Sequence, residues 1–394
     1  MIPPPVWPVV LAGFTAFINL YATQPLLPLL VRVFRSTPFG VSWTVTAATL
    51  AVAGAAPLVG RLADRVGRRR VIVSSAALLA IATGLAATSQ TLGQLVAWRF
   101  VQGLMTPGVF AVTIAYVHER WPASHTGRAA GAYVSGTVLG GFCGRAVAGI
   151  VAAAFSWQVA FLTLSAMLVL TATALWRWLP AEGTHRDYKP AAPAGALRRL
   201  LANRQLLVTD GVGFCVLFTQ VAAFTYVTFY LASPPFGLST FALAWLFVVY
   251  LMGAAITPLA GRWADAIGHR AALAGGVGAG MCGAVLTLLP SLPAVIAGLA
   301  LVATGVFIAQ ATASSYIGAA TKEDRGLAVG LYSSCYYLGG SVGGSLPAVM
   351  WNTGGWPATV ALVMVVQALT VALAWAFWTP RESTHEPPLP DAGG

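Results

Sequence analysis

Three ionisable residues stand inside long apolar runs, where an unpaired charge is costly: Arg99, Arg145 and Asp210. An arginine at mid-membrane costs at least ~2.5–3.5 kcal/mol on insertion scales. Each therefore needs an acceptor, a wet cavity or a path to the surface. Arg99 opens RFVQGL, so Gln102 lies one helical turn away. Arg145 closes the glycine-rich stretch SGTVLGGFCGR. Asp210 is the one acid inside an apolar segment, and a buried acid there could bind and release a proton. A second constellation is GRLADRVGRRR at 60–70, five arginines around Asp64. A weaker copy, GRWADAIGHR, begins at 261 and keeps an acid, Asp265.

Other chemistry finds no residues to carry it. There is no nucleophile–base pair and no paired set of acids, so no catalytic residue is assigned and no enzyme is expected. Cys143, Cys215, Cys282 and Cys335 each sit alone in apolar surroundings, and the histidines fall in loops or the tail. No metal site or cofactor is expected. The absence of a Gly-x-x-x-x-Gly-Lys loop argues against direct ATP drive. A surplus of basic residues can mean nucleic acid, but apolar spans interrupt the arginines here, so no nucleic-acid partner is expected.

Composition sets the frame for these groups. Hydrophobic residues make up 58% of the 394, charged residues only 8%. No soluble core uses that ratio, and membrane burial is the direct reading. Twelve helical spans are expected at 9–31, 42–60, 71–88, 92–117, 129–154, 158–180, 205–232, 239–260, 271–289, 293–316, 327–351 and 356–378. The first reads as a retained span, not a signal peptide. With the N-terminus inside, eighteen of the 22 basic residues fall in inner loops and tail, and only Arg32 and Arg35 lie outside. Both termini are therefore expected in the cytoplasm. On that frame Arg99 lies about seven residues, roughly 10 Å, from the outer end of span four. Arg145 lies about 16 residues, roughly 24 Å, from the inner end of span five. Asp210 sits near the inner end of span seven.

The polar stretch after span six divides the chain. The expected organisation is a six-helix bundle at 1–180, a cytoplasmic linker at 181–204, a second bundle at 205–380 and a tail at 381–394. The halves are similar: beside the two Gly-Arg stretches, GAYVSGTVLGGFCG at 131–144 matches GLYSSCYYLGGSVG at 330–343. That repeat predicts two pseudo-symmetric bundles with a pathway between them. Gly136, Gly140 and Gly144 recur every four residues, as do Gly339 and Gly343, a spacing that allows close helix packing or bending. Tyr336 and Tyr337 precede the second cluster, where they either gate or pack.

In the 60–70 stretch, Gly60 and Gly67 permit tight backbone and Asp64 can pair with Arg68 on one helical face. Arg68, Arg69 and Arg70 can meet anionic lipid headgroups and anchor orientation. An anchor gains nothing from an acid, so Asp64 and Asp265 suggest a further role.

The pattern Gly-Arg-x-x-Asp-Arg-x-Gly-Arg-Arg between spans two and three resembles the signature of the major facilitator superfamily, and the resemblance covers positions 9–380. Arg99, Gln102 and Gly103 resemble that family's Arg-x-x-Gln-Gly pattern. The glycine-rich stretch of span five lacks the proline of antiporter-like members and, with NLYATQPLLPLL at 19–30, resembles bacterial sugar- or drug-efflux permeases. The resemblance implies alternating access by an all-α, twelve-helix carrier in the bacterial inner membrane. It implies a conformational switch at Asp64, with Gly60, Arg65, Gly67, Arg68 and Asp265 around it. It implies a central cavity lined from spans one, four, seven and ten by Asn19, Tyr21, Gln24, Arg99, Gln102, Gln220, Tyr226, Tyr230 and Gln310.

The expected function is secondary transport of a small organic solute as a proton-coupled exporter, with Asp210 the candidate coupling acid and a monomer the expected state. A proton-independent uniporter, or an importer of a sugar or organic anion, stays open. So does a channel or non-transport membrane protein, though the two-half repeat argues against it.

Overall fold

The computed structural model describes residues 5–121, 123–180, 195–321 and 324–379, and among these helix is the only regular element. Helices satisfy their own backbone groups, which a chain facing hydrocarbon requires. They run in the order α1 (Trp7–Phe17), α2 (Leu27–Val33), α3 (Pro38–Val66), α4 (Arg68–Ala86), α5 (Leu92–Arg120), α6 (Ala123–Ala154) and α7 (Trp157–Trp178). After these come α8 (Ala196–Ala202), α9 (Arg204–Ala232), α10 (Thr240–Leu246), α11 (Leu251–Ile267), α12 (His269–Leu286), α13 (Leu292–Ala320), α14 (Arg325–Ser345) and α15 (Pro347–Phe377).

Side-chain caps set many helix starts. Thr37, Thr91, Ser156 and Ser239 each accept from the backbone N–H three residues on, and Asn203 accepts from Gln205 and Leu206. Each satisfies a donor that the first turn leaves open.

Nine stretches are apolar and long enough to cross a membrane by length and composition among the described residues. The other three expected spans depart for physical reasons. Span one is broken: α1 stops at Phe17, the chain turns through residues 18–23, and a 3-10 turn, Gln24–Leu26, leads into α2. Span nine, α12, is diluted by glycine. Span eleven, α14, is rich in Gly, Ser and Tyr because it packs between α9 and α3 rather than against lipid. Span eight is also interrupted, by the 3-10 turn Phe247–Tyr250 between α10 and α11.

Two expected boundaries are corrected. Spans two and eight run on to Val66 and Ile267, so Asp64 and Asp265 stand on the last turns of helices, not in loops. The connections are single glycines, Gly67 (φ 110°) and Gly268 (φ 87°), conformations that L side chains rarely adopt. The expected gap at 352–355 appears as a break at Gly354–Gly355 within α15. Of the expected linker, 181–194 lies outside the described residues, as does the tail from 381. Residues 196–202 form α8, whose Arg199 pairs with Asp324 at 2.7 Å.

The halves repeat in three dimensions. α1 packs on α6 as α9 packs on α14, and α4 packs on α5 as α12 packs on α13. A Cβ at Gly140 or Gly144 would strike the backbone at Phe14 or Ile18. In the second half Gly339 and Gly343 meet Phe214 and Phe218 in the same way. Tyr116 donates to the Pro180 carbonyl (2.6 Å), and its counterpart Tyr316 meets Thr379. The outward faces of α7 and α15 present Leu162, Leu170, Val365 and Leu369, as lipid contact requires.

Candidate functional site at the seam between the bundles

α3 meets α14, and α6 meets α10 and α11, across the seam. At one end the seam is shut. Thr46 Oγ1 donates to the Ser341 carbonyl and Ser341 Oγ returns a bond to the Thr46 carbonyl, both 3.2 Å. Gly149 lies against Ala244, and Gln24 Nε2 donates to Thr225 Oγ1 at 3.2 Å. The other end is open. Gly60 and Asp64 follow Thr46 by 14 and 18 residues, so they share its helical face. Gly131 lies 18 residues before Gly149 on α6, and Gly330 lies 11 before Ser341 on α14. A Cβ at Gly60, Gly131 or Gly330 would find no heavy atom within 4 Å. The two bundles form a wedge, closed near the 34–37 and 233–239 connections and parted near Gly67 and Gly268.

Arg99 was expected to face a wet cavity or to find an acceptor, and it finds acceptors. The structure encloses it, 0% exposed, among them. Nε donates to the Thr44 carbonyl (2.9 Å). Nη1 donates to the Asn19 carbonyl (2.9 Å), Asn19 Oδ1 (3.3 Å) and Gln102 Oε1 (2.6 Å), and Nη2 donates to the Leu20 carbonyl. Asn19 and Gln102 are themselves tied to Thr83 and the Ala82 carbonyl. The break after α1 frees carbonyls from helical pairing, and Arg99 collects them. This group ties α1, α3, α4 and α5 together within one bundle.

Arg145 is 2% exposed and lies on the seam. Nε donates to Gln24 Oε1 and Nη1 to the Gly141 carbonyl, both 2.7 Å. Its guanidinium carbon stands over the rings of Tyr21 (4.9 Å), Phe247 (5.0 Å) and Tyr250 (4.5 Å), a three-sided cation–π cage. Arg145 and Tyr21 come from the first bundle, Phe247 and Tyr250 from the second. Tyr336 and Tyr337 come within electrostatic reach of Tyr21. Tyr332 stacks on Tyr336 at 5.9 Å, Tyr337 meets Phe110 at 5.5 Å, and Tyr133 lies near Tyr337. Gln220 lies beside Tyr250. Six of the eleven tyrosines thus gather at the seam.

The remaining expected residues lie apart. Asp210 is half-buried near Tyr332 and Cys335 and makes no hydrogen bond or ion pair among the described residues. Tyr226 donates to the Gly344 carbonyl (3.0 Å) and packs on Trp351, while Tyr230 stacks on Trp356 at 5.5 Å. Gln310 is half-buried, with no hydrogen bond among the described residues. Asp64 is 55% exposed and among the described residues pairs with Arg68 (3.4 Å), which also holds Glu119 at 2.7 Å. Arg65 and Asp265 are exposed. Arg69, read from sequence as a lipid anchor, donates to the Leu179 (2.7 Å) and Trp176 carbonyls at the end of α7. No His/Cys/Asp/Glu group among the described residues is arranged to hold a metal.

Two apolar voids, one against Trp356 and one against Gln367, measure about 10 Å³ each, room for about one water and too little for a solute.

Sequence reasoning missed Phe247, Tyr250, Tyr133 and Tyr332 because it took the lining from spans one, four, seven and ten. A signal was available for Tyr250: tyrosine favours the ends of membrane spans, so a tyrosine in the middle of span eight points to a polar interior.

A broken first span, the Gly67 and Gly268 turns and a two-bundle wedge agree with the resemblance carried by the Gly-Arg signature. The family profile of the Major Facilitator Superfamily matches residues 9–317 and 232–394. The chain belongs to the Major Facilitator Superfamily. Among members of this superfamily and similar transporters, the inner membrane transport protein YnfM of Escherichia coli is 31% identical over 363 residues, covering 91% of this chain and 87% of that protein. The uncharacterized MFS-type transporter YybF of Bacillus subtilis is 28% identical over 382 residues, covering 96% and 93%. Among solved structures, a bacterial homologue of the human lysosomal transporter Spinster, inward-facing and occupied, matches with a TM-score of 0.76. It is 14% identical and covers 94% of this chain and 95% of its own, a likeness of fold. The superfamily, the fold and the relatives make this a multi-pass membrane transporter.

Proposed function

We propose that this transporter exports a small organic solute across the bacterial inner membrane by alternating access, coupled to protons, with both termini in the cytoplasm. The observation that carries alternating access is the wedge: one seam packed at one end and empty at the other along the same helical faces. Closing the empty end and opening the packed one would exchange access to the site between them. The basic bias favours the open end as cytoplasmic, which makes this conformation inward-facing. Asp64 then stands ready to meet α14 when the cytoplasmic end closes, with Gly60, Arg65, Gly67 and Arg68 shaping the contact and Asp265 its counterpart. Asp210 supports proton coupling: it lies within a span, it has no hydrogen-bond or ion-pair partner among the described residues, and it neighbours the tyrosine cluster through Tyr332.

The test is proton movement in sealed proteoliposomes on adding sugars, lipophilic cations or organic anions, with Asp210→Asn alongside. A solute-triggered pH change lost in Asp210→Asn supports a proton-coupled carrier. Solute flux without proton movement points to uniport or another coupling ion, and Asp210 reverts to a helix-end acid.

A further inference from the structure

We infer that Arg145 and the tyrosines around it bind the carboxylate of a small organic anion with a flat apolar body. The inference rests on the transporter reading above and names the solute class.

The two buried arginines differ in what they leave unmet. Each nitrogen of the Arg99 guanidinium has a protein acceptor. Arg145 uses Nε and Nη1, but Nη2 has no acceptor among the described residues. The three rings of its cage stabilise the charge without offering lone pairs. No carboxylate among the described residues neutralises it. Asp210, the one intramembrane acid, lies by Tyr332 and Cys335 instead. A buried guanidinium with an open edge and no counter-ion is a receptor for a planar anion, whose two oxygens match its fork.

The surroundings agree. The hydroxyls of Tyr21, Tyr336 and Tyr337 make no hydrogen bond among the described residues, and Tyr336 and Tyr337 stand next to Tyr21 of the cage, which leaves phenolic donors at its edge. The walls are otherwise aromatic: Phe247, Tyr250 and Phe110. A cation site would need an acid beside the guanidinium, and among the described residues the nearest in the cluster, Asp210, lies off by Tyr332. Because the cage draws on both bundles, an anion bound there would also touch both.

The test uses three probes with the same ring and different charge: benzoate, benzamide and benzamidinium. Binding to the full-length protein in detergent is followed by thermophoresis. Benzoate should bind at least about tenfold more tightly than benzamide. Arg145→Gln should abolish that preference, and Arg145→Lys, which keeps charge but loses the fork, should weaken it. Tyr336→Phe, which removes one oxygen with little packing change, should weaken benzoate several-fold and guards against misfolding of the arginine variants. The inference is overturned if benzamide or benzamidinium binds as tightly, if none of the three binds, or if Arg145→Gln keeps the preference. Counterflow in proteoliposomes separates the two readings. Benzoate bound but not exchanged upholds the anion site and sinks the carrier. Exchange of benzamide or benzamidinium without benzoate upholds the carrier and overturns the anion site.

Discussion

Arg99→Ala should unfold this protein more readily rather than merely empty a binding site. The substitution strands the Leu20 carbonyl, Asn19 Oδ1 and Gln102 Oε1, whose described hydrogen bonds come from Arg99. A buried acceptor left unpaired costs ~1–3 kcal/mol, so three would cost ~3–9. Removing the charge itself relieves part of that, because burying a guanidinium is expensive. Breaking one side of a buried ionic set costs about 3–5 kcal/mol where it has been measured, and that is the magnitude expected here. Arg99→Lys keeps a charge but cannot reach both sides of the break after α1, so about 2–3 kcal/mol should be lost. Unfolding in graded SDS, followed by tryptophan fluorescence of the purified protein, measures both. Solute flux at a temperature where each variant is folded completes the comparison. If Arg99→Ala unfolds within ~0.5 kcal/mol of the parent while its flux is abolished, the structural reasoning is refuted and Arg99 acts on the solute or the proton.

Other expectations follow from the seam and the bundle contacts. Gly144→Ala drives a methyl into the Ile18 carbonyl and should cost about 1–3 kcal/mol, whereas Gly131→Ala meets open space. Equal stability of the two variants would contradict the packing described for α1 and α6. Cysteines at Thr46 and Ser341, in a chain with Cys143, Cys215, Cys282 and Cys335 replaced, should form a disulfide that stops transport until reductant is added. Undiminished flux through the oxidised protein would mean that this end never opens. Asp64→Asn should cut transport sharply while folded protein stays in the membrane, and normal transport by it would remove the switch role.

The apolar runs and the internal repeat carried the architecture into plain view. Length and hydropathy set the spans, and the glycine spacing at 136–144 and 339–343 marked contacts that the structure reproduces in both halves. The ends of spans two and eight were less legible, because Arg61, Asp64 and Arg65 look like loop residues until the helix is seen to run on through them to Val66. The break after α1 was missed, although Pro25 and Pro28 in NLYATQPLLPLL mark it; the leucines around them read as one span. That break decides what Arg99 does: it supplies the carbonyls that enclose the arginine. Arg145 was legible as a buried charge, but its cage was not. Phe247 and Tyr250 lie about a hundred residues away, across a seam that local pattern does not encode.

The vacant surfaces at Gly60, Gly131 and Gly330 have a consequence beyond this conformation. In the shape described here a methyl group at any of them touches nothing, so fold stability alone offers no reason for glycine. The reason would lie in the other shape, where these faces come together. A variant there would leave this state untouched and penalise its counterpart, and each ~1.4 kcal/mol of penalty would thin the counterpart's population tenfold. Positions neutral to folding but harmful to flux would therefore trace, residue by residue, the contact surface of the conformer on the far side of the cycle.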